Sequence, residues 1–273
     1  MNLFNRIGMD VGRELPAEEA IAWAAANDVR FLDIQADIAP NALAAMAQRA
    51  PRIRALCEET GVALGLHTLS GVNIAEISPH VSDAADAYLR GYIDLAVGTG
   101  AGWVIVHAGY HFTADYDRRR AAGLERLKRA VGYAEQKGVT LLLENTNREP
   151  DDAEVQYLCC TLEECLWYFE RLASPMLKMA FTANHAHLYP EGVAGFVDAL
   201  DLTRCREVRL ADCHGPVEEH LRPGEGTMDF ADMFRRIEAA GFTGHYMNQF
   251  GTLDDMLDGR RYLVKQARSA GLA

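Results

Sequence analysis

Val139-Thr-Leu-Leu-Leu-Glu144-Asn-Thr146 is the stretch that decides how this chain is read. Three consecutive leucines make a short strand buried on both faces, and a carboxylate and an amide stand at its C-terminal end. An apolar run of that length closing on Glu-Asn reads as a parallel-barrel strand that delivers an acid to a pocket. Working outward, the same unit recurs. Before it, strands are expected at 6–11, 29–35, 62–68 and Trp103–Val106. After it, they are expected at Leu177–Thr182, 207–211 and 244–249.

Helical patterns separate these strands. Pro16 opens one that runs to Asn27. A second covers 41–60 and is expected to break or restart at Pro51. A third follows Ser78-Pro79 and sets Tyr88, Tyr92 and Leu95 on one face, and a basic helix over 117–137 stops at Gly138. Thr161-Leu-Glu-Glu164 has the spacing of a capping box. Further helices are read at 193–200, around Phe230, Met233, Phe234 and Ile237, and through Leu253, Leu257 and Val264. The polar 148–158 segment reads as a loop, either a lid or a contact between copies in a homo-oligomer.

Eight strand–helix units with short connections predict an α/β fold, a (β/α)8 TIM barrel spanning 1–273 as one domain. The length of 273 residues suits the ~250 that such a barrel needs. A doubly wound open sheet fits less well, because no glycine-rich dinucleotide fingerprint follows the first strand.

Composition narrows the partners. A formal charge of −12 opposes broad attraction to nucleic acid, and Arg118-Arg119-Arg120 with Arg126, Lys128 and Arg129 reads as a solvated helix face. No apolar run reaches the ~18–20 residues of a membrane span, and no secretory signal is evident at the start. The cysteines, at 57, 159, 160, 165, 205 and 213, form no C-x-x-C pair, so reduced thiols and a cytoplasmic location are expected.

Chemistry in a parallel barrel gathers at the C-terminal ends of the strands. His67, His107, Glu144, His185, Arg209 and Gln249 fall there, and Asp212, His214, Glu218 and His220 follow strand seven. Five of the nine histidines are in this set. Such a concentration of imidazole suits a metal or proton-transfer site, although a single strand-end histidine is ordinarily a hydrogen-bonded structural residue. Arg209 sits in an apolar strand, where an unpaired charge is very costly. It therefore requires an anionic partner: Glu144, an anionic ligand, or a salt bridge to Asp212 or Asp33.

The chain resembles the xylose isomerase-like barrel superfamily. That group holds sugar and sugar-phosphate isomerases and epimerases, inosose dehydratases and zinc-dependent apurinic endonucleases. The likeness rests on His67 before Gly71-Val-Asn-Ile74, on Val104-Ile-Val-His107-Ala-Gly109 and on Leu143-Glu144-Asn-Thr146. It continues through Phe181-Thr182-Ala-Asn-His185-Ala186, Val208-Arg209-Leu-Ala-Asp212 and His220-Leu-Arg-Pro-Gly224-Glu-Gly226. It implies a shared metal site of Glu, Asp, His and Glu from strands five to eight. Glu144 matches the first ligand, while Thr182, Arg209 and Gln249 replace the others. The usual isomerase metal is therefore expected to be absent, with the Arg209 guanidinium in its electrostatic role. The endonuclease branch implies two further ligand sets, and both are matched: His67, His107 and Glu144, then His185, Glu218 and His220, with Glu218 in place of Asp. One zinc or manganese ion at either set is the cofactor these residues allow.

The resemblance and the residues together point to an enzyme acting on a small polyhydroxylated or keto-sugar substrate by proton transfer, through enediolate-type isomerisation or elimination. Glu144 is the expected acid or base, with Arg209 and His185 stabilising the oxyanion. Gln249, Asn145, His214 and Asp33 are expected to contact substrate. Gln249 cannot remove a proton, which argues against two-base epimerisation. Two alternatives stand beside this reading: a degenerate barrel that only binds or serves as a subunit, and a metal-dependent phosphodiesterase of the endonuclease kind.

Overall fold

The computed structural model describes residues 3–12 and 15–272; Arg13, Glu14 and the extreme termini lie outside them. Among the described residues ten strands are formed: β1 Ile7–Gly12, β2 Phe31–Gln35, β3 Ala63–His67, β4 Trp103–Val106, β5 Tyr110–Phe112, β6 Leu141–Glu144, β7 Val155–Tyr157, β8 Leu177–Thr182, β9 Cys205–Leu210 and β10 His245–Asn248. Eight of them close a parallel barrel in the order β1-β10-β9-β8-β6-β4-β3-β2, sealed where Ile7 of β1 pairs with Tyr246 of β10. This is the expected (β/α)8 barrel. No helix among the described residues is long and apolar enough to cross a membrane.

The two-residue alternation of a strand builds the site. Leu141 and Leu143 of β6 pack outward under the helices, while Leu142 joins Trp103, Ile105, Ala180 and Met247 in a small cluster inside the barrel. Glu144 has the parity of Leu142 and so points inward. By the same count His67 follows Ala63, His107 follows Trp103 and Ile105, Thr182 follows Ala180, and Gln249 follows Met247. Asp10, Asp33 and Arg209 likewise share an inner face. The barrel interior is thus apolar low down and polar towards the strand ends.

Gly65 is required by this interior. It pairs with Asp33 on one side and Trp103 on the other. A Cβ there would lie 2.1 Å from Trp103 Nε1 and 2.2 Å from Asp33 Oδ1, in the space of the 3.0 Å hydrogen bond that Trp103 donates to Asp33.

Several elements depart from the sequence reading. The helix Leu43–Thr60 runs unbroken through Pro51. Pro51 and Ala47 are both exposed, so water can reach the Ala47 carbonyl that the missing N–H leaves unpaired. Segment 148–158 is not all loop. Its β7 pairs antiparallel with β5, Tyr110 opposite Tyr157, forming a short ribbon above the barrel. At Thr161 only half of the capping box forms. Thr161 Oγ1 accepts from Glu164 N, but the Glu164 side chain accepts instead from Tyr116 Oη and Cys160 N. The complete box is at Thr252 and Asp255, opening the last helix, Leu253–Ser269.

Candidate active site

A cavity of about 490 Å³ opens at the C-terminal end of the barrel. Its lining brings together Glu144, His67, His107, His185, Glu218, His220 and Gln249 from the expected set. Asp10, Glu149 and Tyr157 join them.

Glu144 is at the centre. Its Oε2 lies 3.1 Å from His107 Nε2 and 3.3 Å from His67 Nε2, and the two imidazole nitrogens are 3.4 Å apart. Its Oε1 accepts from Thr182 Oγ1. The far nitrogens of both rings are anchored, His67 Nδ1 to Asp10 at 2.9 Å and His107 Nδ1 to Thr68 Oγ1 at 3.1 Å. That anchoring aims both Nε2 atoms at the carboxylate. Burial works against charge on Glu144, but hydrogen bonds from His107 and His67 and the nearby Arg209 outweigh it, holding the carboxyl well below its usual range. Burial and Arg209 likewise oppose a proton on His67. The bonds to Asp10 and Glu144 win, raising it to about 9. His107, where burial dominates, is shifted down.

A second trio stands beside the first. His185 Nδ1 lies 2.7 Å from the Asn145 carbonyl, so that nitrogen carries the hydrogen. Its Nε2 is 2.6 Å from Glu218 Oε1, and His220 Nε2 is 3.5 Å from the same oxygen. The three donors of this set, like those of His67, His107 and Glu144, lie within 4.8 Å of one another and could hold a metal ion.

Four expected residues lie elsewhere. Arg209 has 0% of its side chain exposed. It donates to Asp33 at 2.8 Å, to Glu207 at 2.5 Å, and to Asp10 and Gln249, while Glu144 Oε1 is 3.6 Å from its Nε. The anionic partner is therefore internal, a group of barrel carboxylates, and the guanidinium does not line the cavity. Asp33 is buried beneath the floor between Arg209 and Trp103. Asn145 spends both amide atoms on the Thr182 backbone, at 3.0 and 2.7 Å, extending the β6–β8 pairing by one step. His214 is exposed and bonded to Glu219 at 3.1 Å. None of these four is placed to touch a ligand in the cavity.

Sequence reasoning missed Asp10, Thr68 and Glu207. Glu207 was readable by parity, two positions before Arg209 on the same strand face. Asp212 organises the following loop. Its Oδ1 accepts from Cys213 N and Met228 N, and its Oδ2 from Gly224 N.

Two curated relatives are similar over part of the chain. Fructoselysine 3-epimerase from Shigella flexneri is 28% identical over 168 residues, 58% of this chain and 58% of that protein. The protein of the same name from Escherichia coli O157:H7 is 27% identical over 168 residues, with the same coverage. The chain thus spans little more than half the length of these relatives. Among solved structures, a D-tagatose 3-epimerase-like protein superposes with a TM-score of 0.83 at 20% identity, over 97% of this chain and 98% of the other. The 3-keto-D-glucoside 4-epimerase of E. coli gives 0.77 at 15% identity, over 95% and 99%. At these identities the structures attest the fold. Residues 21–264 match the family described as Xylose isomerase-like TIM barrel, and the chain belongs to that family.

Proposed function

We propose that this protein is an isomerase or epimerase of a small keto-sugar, moving a proton at carbon through Glu144. The observation that carries this reading is the buried Glu144 carboxylate at a cavity floor, flanked by two imidazoles whose far nitrogens are anchored by Asp10 and Thr68. The epimerase names of the partial relatives favour the same class.

The family's shared metal position does not suit this chain. Thr182, Arg209 and Gln249 stand where ligands would be, and they are bonded to Glu144 or to one another. A divalent ion there would meet a guanidinium. The His67–His107–Glu144 set does fit. Bonds of about 2.0–2.1 Å in a tetrahedral site put donors about 3.4 Å apart, against the 3.1, 3.3 and 3.4 Å seen here. A zinc or manganese ion held by these three residues would supply Lewis acidity to a carbonyl oxygen.

The remaining work belongs to the chain itself. Glu144 exchanges the proton with the substrate carbon. The His185–Glu218 pair holds or returns a second proton at oxygen, because Gln249, bonded to Arg209 and His220, can only orient a hydroxyl. Arg209 acts through others, as a positioning residue that keeps Glu144 ionised and Asp10 on His67. The test is interconversion of D-fructose with D-psicose, and of D-tagatose with D-sorbose, by the wild type and by Glu144→Gln, followed by chromatography. The variant should lose at least about 10²-fold in kcat. Equal rates would remove Glu144 from the chemistry.

The phosphodiesterase alternative keeps one supporting observation, that both endonuclease-type donor sets assemble.

A further inference from the structure

The charge around the cavity narrows the substrate further, on the reading that it is a sugar. Asp10, Glu144, Glu149 and Glu218 all line it. Among the described residues, its lining holds no arginine or lysine. Two of the lining imidazoles are already matched, His67 by Asp10 and His185 by Glu218, at 2.9 and 2.6 Å. Arg209, the cation nearest the floor, is fully buried and committed to Asp10, Asp33 and Glu207. Arg148 lines a neighbouring cavity instead and is paired with Asp151 at 2.7 Å.

Glu149 differs from the other acids. It is half-buried, accepts from the Asn147 amide at 2.8 Å and, among the described residues, makes no ion pair within 4.0 Å, although Arg148 lines the adjoining cavity with it. It also stands where this cavity adjoins the neighbouring one of about 680 Å³, sharing Glu149 and Tyr157 with it. Among the described residues lining the cavity, a phosphate or carboxylate meets carboxylates with no guanidinium or ammonium to receive it. A divalent ion on His67, His107 and Glu144 would be held by Glu144 and would not include Glu149 among its ligands. An ammonium group on the Glu149 side would meet a carboxylate that, among the described residues, has no ion-pair partner.

We propose that the cavity selects keto-sugars without phosphate or carboxylate groups, and accepts a cationic amino substituent on the side of Glu149. Like-charge contact across a binding surface is strongly penalised, whereas a complementary charge gains less. Calorimetric titration of the protein as purified provides the test, with five probes: D-fructose, D-tagatose, 1-amino-1-deoxy-D-fructose, D-fructose 1-phosphate and D-fructose 6-phosphate. The phosphates should bind at least about tenfold more weakly than the better neutral ketose, and the amino sugar about threefold or more tightly. Glu149→Gln, checked for an unchanged melting curve, should bring the amino sugar to within about twofold of fructose.

Either phosphate binding as tightly as the neutral ketoses would overturn the proposal and leave the isomerase reading intact. An amino sugar that binds no better than fructose, or an advantage that survives Glu149→Gln, would overturn its second half. Failure of every probe to bind would sink the sugar reading itself and this inference with it.

Discussion

Arg209 shows how one side chain can be misjudged from sequence and still prove informative. An arginine inside an apolar strand demands an anion. The sequence does not reveal that four carboxylates, Asp10, Asp33, Glu207 and Glu144, converge on it from β1, β2, β9 and β6. Those contacts span up to 199 residues of chain. Glu144 and Asp33 were among the partners the sequence suggested, and Glu207, two positions earlier on the same face, was within local reach but went unnamed. Removing one member of a buried ionic group leaves its partners uncompensated. Arg209→Met should therefore lower unfolding stability by about 3–5 kcal/mol in urea titration. Arg209→Lys should lose less, since it keeps charge without the forked geometry. A methionine variant as stable as wild type would show that the carboxylates simply take up protons at no cost.

His245 supplies a pH test at the same scale. It is buried between Phe31, stacked at 4.4 Å, and Trp103, and its Nε2 is 2.9 Å from Glu207. Burial depresses its pKa to about 3. The unfolded chain takes up a proton near pH 6.5 that the native chain refuses. This contribution is level above pH 6.5, and stability then falls with acid by about 1.4 kcal/mol per pH unit. His245→Gln keeps a donor for Glu207 and lacks that proton. Urea unfolding at pH 7, 6 and 5 should show a shallower acid slope in the variant. Parallel slopes would assign the proton uptake to other groups.

At the level of elements, strand parity carried most of the legible information. Glu144, His67 and His107 were found because they end apolar strands, and Leu142, Ala63 and Ile105 confirm their inward side. What escaped was short or depended on a partner. The β5–β7 ribbon has three residues per strand and no apolar run of its own. Pro51 was read as a helix break because its exposure could not be known. The need for glycine at 65 also depends on partners, since Asp33 and Trp103 close on it from the neighbouring strands. Gly65→Ala should cost about 1–3 kcal/mol or more by overpacking, read by chemical denaturation. A cost below 0.5 kcal/mol would mean the Trp103–Asp33 bond yields easily.

For the whole molecule, the barrel was legible because eight repeats leave few other closures, and the cavity followed from the strand ends. The roles of individual residues were less legible, since four expected contacts proved to be framework or surface. Metal content checks the donor-set argument at this scale. Protein purified without chelator or affinity metal should carry about one equivalent of zinc or manganese, lost in His107→Ala. Metal retained in full by that variant would place it on His185, Glu218 and His220 or elsewhere.

The most direct measurement is deuterium wash-in, followed by NMR, for keto-hexoses incubated with the protein in D2O. Proton transfer at Glu144 predicts solvent deuterium at a carbon next to the carbonyl, faster than in the no-enzyme control and abolished in Glu144→Gln. Exchange no faster than the control for every ketose, or exchange that persists in the glutamine variant, would contradict the account.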